Sequence, residues 1–366
     1  MKIPLMLVIL FSFLTFPWIS GAGQDDLRLR VIPLPSDSRE ALADMRSRPH
    51  ISVHKDWFHW CPSVLKAEDG MYHMFHTRWP KSIGFLSWLT HSEIVHAVAT
   101  SPEGPFRTLE VAMPPTGSER GDWFTAHNSK IKKFEGRYYL YFCQTRGDSF
   151  KEAGEKKRID MARTGYNHVL WKQEARPNQR TFVACSDSLD GPWDVSPEPI
   201  IQPAGPITTL TVNPAVCRGP AGTYFMIIKG DKPDGSRMRS QALATAPHPE
   251  GPWSIQDQPV ISDLDTEDAS IWYDPLRQRF YAVFHAHTFI GMMTSSDGYA
   301  WEKAVQYQLT EKSIPFDDGS EWKPDRMERP FVLTDDSGAP VMLYVACKKG
   351  DMSAIIALGL AVETGD

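Results

Sequence analysis

Four acidic residues are set apart from the rest of this 366-residue chain by their neighbours: Glu267 and Asp268 in "EDASIW", Glu328 in "ERPFV" and Glu93 in "THSEIV". Each opens a short run of apolar and β-branched residues that reads as a strand. A carboxyl group at a strand end is held by the backbone yet can face a cavity. Two such groups are the minimum equipment for cleaving a glycosidic bond: one gives a proton to the leaving oxygen, and the other activates water or meets the anomeric carbon. Trp60, Trp79, His91, His127, Asn128, Asn213, His285 and Arg329 occupy comparable places. Indole faces suit sugar rings, and amide, imidazole and guanidinium donors suit their hydroxyls.

The elements that would hold these residues come from an internal repeat. "CPSVLKAEDGMYHMFHT" from Cys61, "HNSKIKKFEGRYYLYFCQT" from His127 and "NPAVCRGPAGTYFMIIKG" from Asn213 share one plan. "EDASIWYDPLRQRFYAVFHAH" from Glu267 and "ERPFVLTDDSGAPVMLYVA" from Glu328 follow it too. Each is a strand, a turn and a second strand, with Gly pairs in most turns supplying the positive φ that tight hairpins need. A second phrase follows four of them: "AVATSPEGPF" (97–106), "VACSDSLDGPW" (183–193), "LATAPHPEGPW" (243–253) and "MTSSDGYAW" (293–301). Together the phrases make four antiparallel strands per unit, and five units predict an all-β, five-bladed propeller. A β-sandwich would not explain parallel phrasing in five copies. The fifth unit lacks its outer strand, and the alternating "LRLRVIPL" (27–34) is expected to supply it and close the ring. "SDSREALADMRSRP" (36–49) reads as a short helix ending at Pro49.

In such a ring the starts of the first strands, the ends of the second and the starts of the third meet at one mouth of the channel. The first strands bring His59, Trp60, Cys61, His127, Asn128, Asn213, Glu267, Asp268, Glu328 and Arg329 there. The second strands add His76, Arg78, Trp79, Gln144, Lys229, His285, His287 and Lys348, and the third strand of the first unit adds His91 and Glu93. His285 and His287 in "FHAH" share a strand face but need a further ligand to hold a metal. A long charged connection, 145–180, belongs at the same mouth, where such loops act as lids or specificity walls. The loop 79–91 brings Trp79 and Trp88 beside it.

Composition narrows the class. A formal charge of −6 without a basic run argues against nucleic acid as partner, and 12 Trp, 18 Phe and 11 Tyr suit sheets and sugars alike. Residues 1–23 have the charged start, apolar stretch and small residues of a cleaved leader, so residues 24–366 are expected to be one propeller domain, secreted or periplasmic and free of stable membrane insertion. The five cysteines show no CxxC and no paired spacing, hence neither a disulfide framework nor a zinc site of the usual pattern.

From about residue 50 to the end, the "GPW/GPF" endings and Gly-aromatic strands resemble the five-bladed glycoside hydrolases of families 43 and 117. "WCPSV", "THSEIV", "EDASIW" and "ERPFV" resemble more closely a group of exported family-43-like proteins. The resemblance implies an oligosaccharide or polysaccharide substrate. In family 43 the first blade opens with Asp-Pro and that aspartate is the general base; here Cys61 stands before Pro62, and a thiol does not replace it. Glu328 in "ERP" resembles the proton donor of an "EGP" phrase. Asp268, or its neighbour Glu267, resembles the base or the aspartate that orients the donor. His91 and His127 are second choices, since a histidine is thought to be the acid in family 117. The resemblance implies no cofactor, although such channels can hold a structural calcium ion, which requires oxygen ligands. A pocket closed by loops would suit release of sugar units from chain ends. The competing expectation, founded on Cys61, is a propeller that binds carbohydrate without cleaving it.

Overall fold

The computed structural model describes residues 26–115, 123–151, 154–236 and 238–363; the expected leader lies outside them. Four sheets are regular four-stranded meanders. Blade one runs through Trp57–Lys66, Tyr72–Pro80, Glu93–Ala99 and Arg107–Met113. Blade two comprises Trp123–Phe134, Arg137–Arg146, Gln179–Ser186 and Asp194–Val195. Blade three comprises Thr208–Arg218, Tyr224–Asp231, Arg239–Ala246 and Ser254–Ile261. Blade four comprises Thr266–Asp274, Arg279–Ala286, Phe289–Ser295 and Glu302–Glu311. Blade five supplies Arg326–Thr334, Pro340–Lys349 and Met352–Val362.

The fifth blade is completed from the other end of the chain. Leu29–Val31 pairs antiparallel with residues 360–362, and Ile51–Val53 pairs with residues 354–356 further along the same strand. Two short segments thus cover the edge that one outer strand covers elsewhere, and the ring presents no open ladder there. Between them the helix is shorter than the sequence suggests. It spans Arg39–Asp44, after a 3₁₀ turn at Ser36–Ser38, and stops at Met45, whose φ of 55° breaks the repeat four residues before Pro49.

Adjacent blades face each other across apolar layers, each drawn from the alternate residues of two sheets. Phe75, Ile94, Ile131, Leu140 and Phe182 fill the seam between blades one and two. Val216, Met226 and Ile228 meet Tyr141 and Val183 between blades two and three. Equivalent layers close the remaining three seams. Truncating a residue as deeply set as Phe75 would cost about 3–5 kcal/mol.

The detail that creates a site is a bulge repeated in every first strand. Trp60 pairs with Thr77 but Ser63 pairs with Phe75, so three steps on one strand match two on its partner. The same extra residue occurs between His127 and Lys130, Val212 and Ala215, Glu267 and Ser270, and Glu328 and Phe331. At each bulge one residue takes a left-handed φ: Cys61 (52°), Asn128 (57°), Asn213 (59°), Asp268 (67°) and Arg329 (58°). A bulge re-aims the side chain and twists the strand. Holding five non-glycine residues there costs on the order of 1–3 kcal/mol each, so the surrounding sheets must impose it.

Candidate active site

The five bulged side chains form a polar ring across the channel. The Cys61 thiol donates to Asn128 Oδ1 at 2.9 Å, Asn128 Nδ2 donates to Asn213 Oδ1, and Asn213 Nδ2 donates to Asp268 Oδ1 at 2.6 Å. From the other side Arg329 gives Asp268 a guanidinium hydrogen bond and, at 3.4 Å, its backbone N–H. Every donor in the ring therefore runs towards Asp268, which suits an acceptor and leaves Cys61 as the thiol that starts the chain. Cys61 is only 1% exposed, and burial pushes its thiol up to about 12. It is a protonated hydrogen-bond donor, not a nucleophile and not a base. Burial likewise pushes Asp268 up, to about 7, while Arg329 pulls it down and Glu267 and Glu328 add to the rise.

Above this ring lies the residue preceding each bulge, and there the mouth opens into a cavity of about 440 Å³. Glu267 and Glu328 line it from consecutive blades, each 8% exposed. Glu267 Oε2 lies 3.2 Å from Lys229 Nζ and Oε1 is paired with Arg239. Burial alone would raise the Glu267 carboxyl, but Lys229, Arg239 and Arg329 overcome it and hold the group well below the usual carboxylate range. Glu328 Oε1 accepts a hydrogen bond from Arg326 at 2.9 Å. Arg326 is half exposed, so this pair is far less enclosed than that of Glu267.

One wall is aromatic. Trp60, Trp79, Phe85, Trp88, Tyr166 and Trp171 line the cavity. Trp60 and Trp79 are buried to 2% and 0% and pack on Phe85, so they back the wall rather than present broad faces. Trp88 stacks on His127 at 4.7 Å and meets Trp171 edge-on at 5.9 Å. Burial keeps His127 well below its ordinary range, so it is a neutral ring at the cavity wall.

The long connection of blade two forms part of this wall. It folds as helices at Asp148–Lys151 and Gly154–Thr164 and further turns through residue 178. Its own apolar cluster of Met161, Trp171 and Ala175 packs on Leu89 and Phe124. Trp171, Lys172 and Arg176 reach the cavity from it, and a half-buried ion pair of Arg176 with Asp231 at 2.5 and 2.7 Å anchors it to blade three.

Not every expected residue reaches the cavity. Trp60, Trp79, His127, Asn128, Asn213, Glu267, Glu328 and Arg329 line it. Asp268 lies beneath in the ring, with His285 Nδ1 3.6 Å from its carboxylate. His91 is turned to Glu155 (2.9 Å), tying the long connection down, and Glu93 is paired with Arg78 at 2.7 Å. Residues not singled out from the sequence include Tyr166, Trp171 and Arg239. Arg239 starts the third strand of blade three, a position that the mouth rule covers for every blade.

The channel does not fit calcium. Glu267, Asp268 and His285 bring three ligand atoms within 4.8 Å of one another, but one is nitrogen, and a calcium ion takes six to eight oxygens. The carboxylates there already face Lys229, Arg239 and Arg329, and the Arg329 guanidinium supplies positive charge at the ring itself.

No family model and no curated protein matches the chain. Solved structures do. A family 117 glycoside hydrolase of the marine bacterium Zobellia galactanivorans superposes with a TM-score of 0.61 at 15% identity, covering 93% of each chain. A thermostable family-43 glycoside hydrolase gives 0.58 at 11% identity over 85% of this chain and 94% of that one. A protein of unknown function from Dyadobacter fermentans gives 0.57 at 13% identity over 92% and 99%. The chain thus shares the five-bladed propeller fold of carbohydrate-active enzymes, and at such identities the likeness extends to the fold alone. Among the described residues no helix is long and apolar enough to cross a membrane.

Proposed function

We propose that this protein is an exported glycoside hydrolase that removes a sugar unit from the end of an oligosaccharide or polysaccharide, with Glu328 as proton donor and Glu267 as the second carboxylate. The observation that carries the reading is the placement of these two carboxylates, from equivalent positions of consecutive blades, in one aromatic-walled cavity. The cations around Glu267 favour its ionised form, as water activation or stabilisation of an oxocarbenium-like centre requires, and Oε1, with Arg239 as its partner, keeps a second lone pair for substrate. Glu328, with one half-exposed arginine as partner, is the freer of the two to exchange a proton with a leaving oxygen. Asp268 lies beneath this pair in the ring, whereas Asn213, which donates to Glu267 Oε2 at 3.4 Å, and Arg329 line the cavity beside it. Trp88 and Tyr166, two of the less buried aromatic residues of the wall, would meet the sugar ring, and the walls contributed by the long connection of blade two favour a chain end over a continuous chain.

A non-catalytic carbohydrate-binding propeller is the alternative, favoured by the buried, protonated thiol of Cys61 at the position where family 43 carries its base. A panel of oligosaccharides, including uronate-bearing and sulfated ones, separates the two. The hydrolase reading requires release of small sugars by the wild type and loss in Glu328→Gln and Glu267→Gln variants of native fold. Binding without turnover across the panel would favour the alternative.

A further inference from the structure

Away from the channel, in the seam between blades one and two, lies a cluster that the reaction does not use. His96, in the third strand of blade one, stands directly opposite Glu110 in the fourth. Asp190 approaches from the turn that follows the third strand of blade two, a turn fixed by the Gly191 N–H bonded to Ser188 O at 3.2 Å. His96 Nδ1 is 3.5 Å from Asp190 Oδ1 and 3.7 Å from Glu110 Oε1. The ring is 0% exposed, stacked on Phe75 at 4.6 Å, and this nitrogen makes no hydrogen bond.

The tautomer of His96 is set by two residues behind it. Asp69 Oδ2 lies 3.1 Å from His73 Nε2, so His73 carries its proton there and presents a lone pair at Nδ1. That lone pair is 2.8 Å from His96 Nε2, which must therefore be the N–H of the second ring. The remaining nitrogen, His96 Nδ1, then points a lone pair at two carboxylates. Lone pair against carboxylate is repulsive unless a cation lies between them, and this buried, unpartnered nitrogen aims at the space where one would sit.

We propose that His96, Glu110 and Asp190 form a binding site for a divalent transition-metal ion of the zinc type, which ties blade one to blade two. The three ligand atoms already lie within 4.8 Å of one another. One imidazole nitrogen and two carboxylate oxygens are a donor set that suits zinc, and a site open to water completes its coordination. Glu110 and Asp190 are exposed and free to close the last distance, whereas His96 is held rigidly. The Asp69–His73–His96 relay is the outer-shell support that fixes a ligating imidazole and raises its basicity.

The test uses the full chain, stripped with a chelator and titrated with zinc chloride by calorimetry and thermal melting. The expected result is one zinc bound per chain and a Tm raised by about 2–4 °C at saturation. Both are expected to vanish in the doubly substituted Glu110→Gln, Asp190→Asn protein, whose changes are on exposed side chains. In stripped protein that variant should be as stable as wild type or more so, because two repelling charges are gone. A stripped variant less stable than wild type would mean that a protonated His96 fills the place, and would overturn the proposal. So would no zinc binding, zinc binding undiminished by the substitutions, or an equal Tm rise with calcium.

Discussion

Replacing Arg329 with methionine removes the one cation inside the ring and leaves the Asp268 carboxylate with Asn213 and a backbone N–H. Asp268 is 2% exposed, so water cannot take over. Stranding a buried charge in this way would cost about 3–5 kcal/mol, more than protonating the carboxyl, so in the variant Asp268 takes up a proton instead. The loss of stability must depend on pH. With arginine present Asp268 titrates near 7, already above its unfolded value, so its contribution is fully present below about pH 4 and falls as pH rises through 7. Without arginine its folded pKa moves higher still, and the group stays protonated past pH 8. At pH 5 Asp268 is neutral in both proteins, and only a hydrogen bond and packing are lost. Between pH 7 and 8 the wild type ionises and the variant does not, which adds about 1.4 kcal/mol to the difference. Equilibrium denaturation of both proteins at pH 5 and pH 8 reads this directly. A deficit that is equal at the two pH values, or a variant as stable as wild type, would refute the ring as described.

Three further outcomes are expected. Tyr166→Ala should raise KM on the identified substrate by roughly tenfold with a smaller effect on kcat, since it removes an exposed cavity face and leaves both carboxylates in place. Deleting residues up to 33 should remove the strand Leu29–Val31 that covers the last blade, lower Tm and promote self-association, measured by melting and light scattering. All five cysteines are buried and unpaired, so the native protein should react with a thiol reagent far more slowly than the unfolded chain, which should then report five thiols.

The architecture was legible because propeller blades repeat their turns. The three Gly-Pro-aromatic phrases fall where Gly104, Gly191 and Gly251 take positive φ, and the alternation in "LRLRV" anticipated a strand at Leu29–Val31. The first strands, however, begin up to five residues before the phrases that mark them, because the marked residue is at the bulge within the strand, or just before it, and not at the strand's start. That bulge is invisible to a period-two reading. It is also what separates Asp268, turned into the ring, from Glu267, turned into the cavity, though they are adjacent in sequence. His91 and Glu93 were placed near the mouth by topology, but which partner a charged side chain finds there depends on neighbours brought in by the fold, Glu155 and Arg78 in this case. The grouping of His96, Glu110 and Asp190 carries no spacing signature, since it joins two strands of one blade to a turn of the next.

The central claim is the division of labour between Glu328 and Glu267, and leaving-group dependence tests it most directly. On glycosides with a dinitrophenolate leaving group, which departs without a proton, Glu328→Gln should keep kcat within about tenfold of wild type, yet lose on the order of a hundredfold or more on the natural glycoside. Glu267→Gln should lose activity on both. Equal loss of both substrates in Glu328→Gln, or activity on the natural glycoside that survives it, would contradict the assignment of Glu328 as the proton donor.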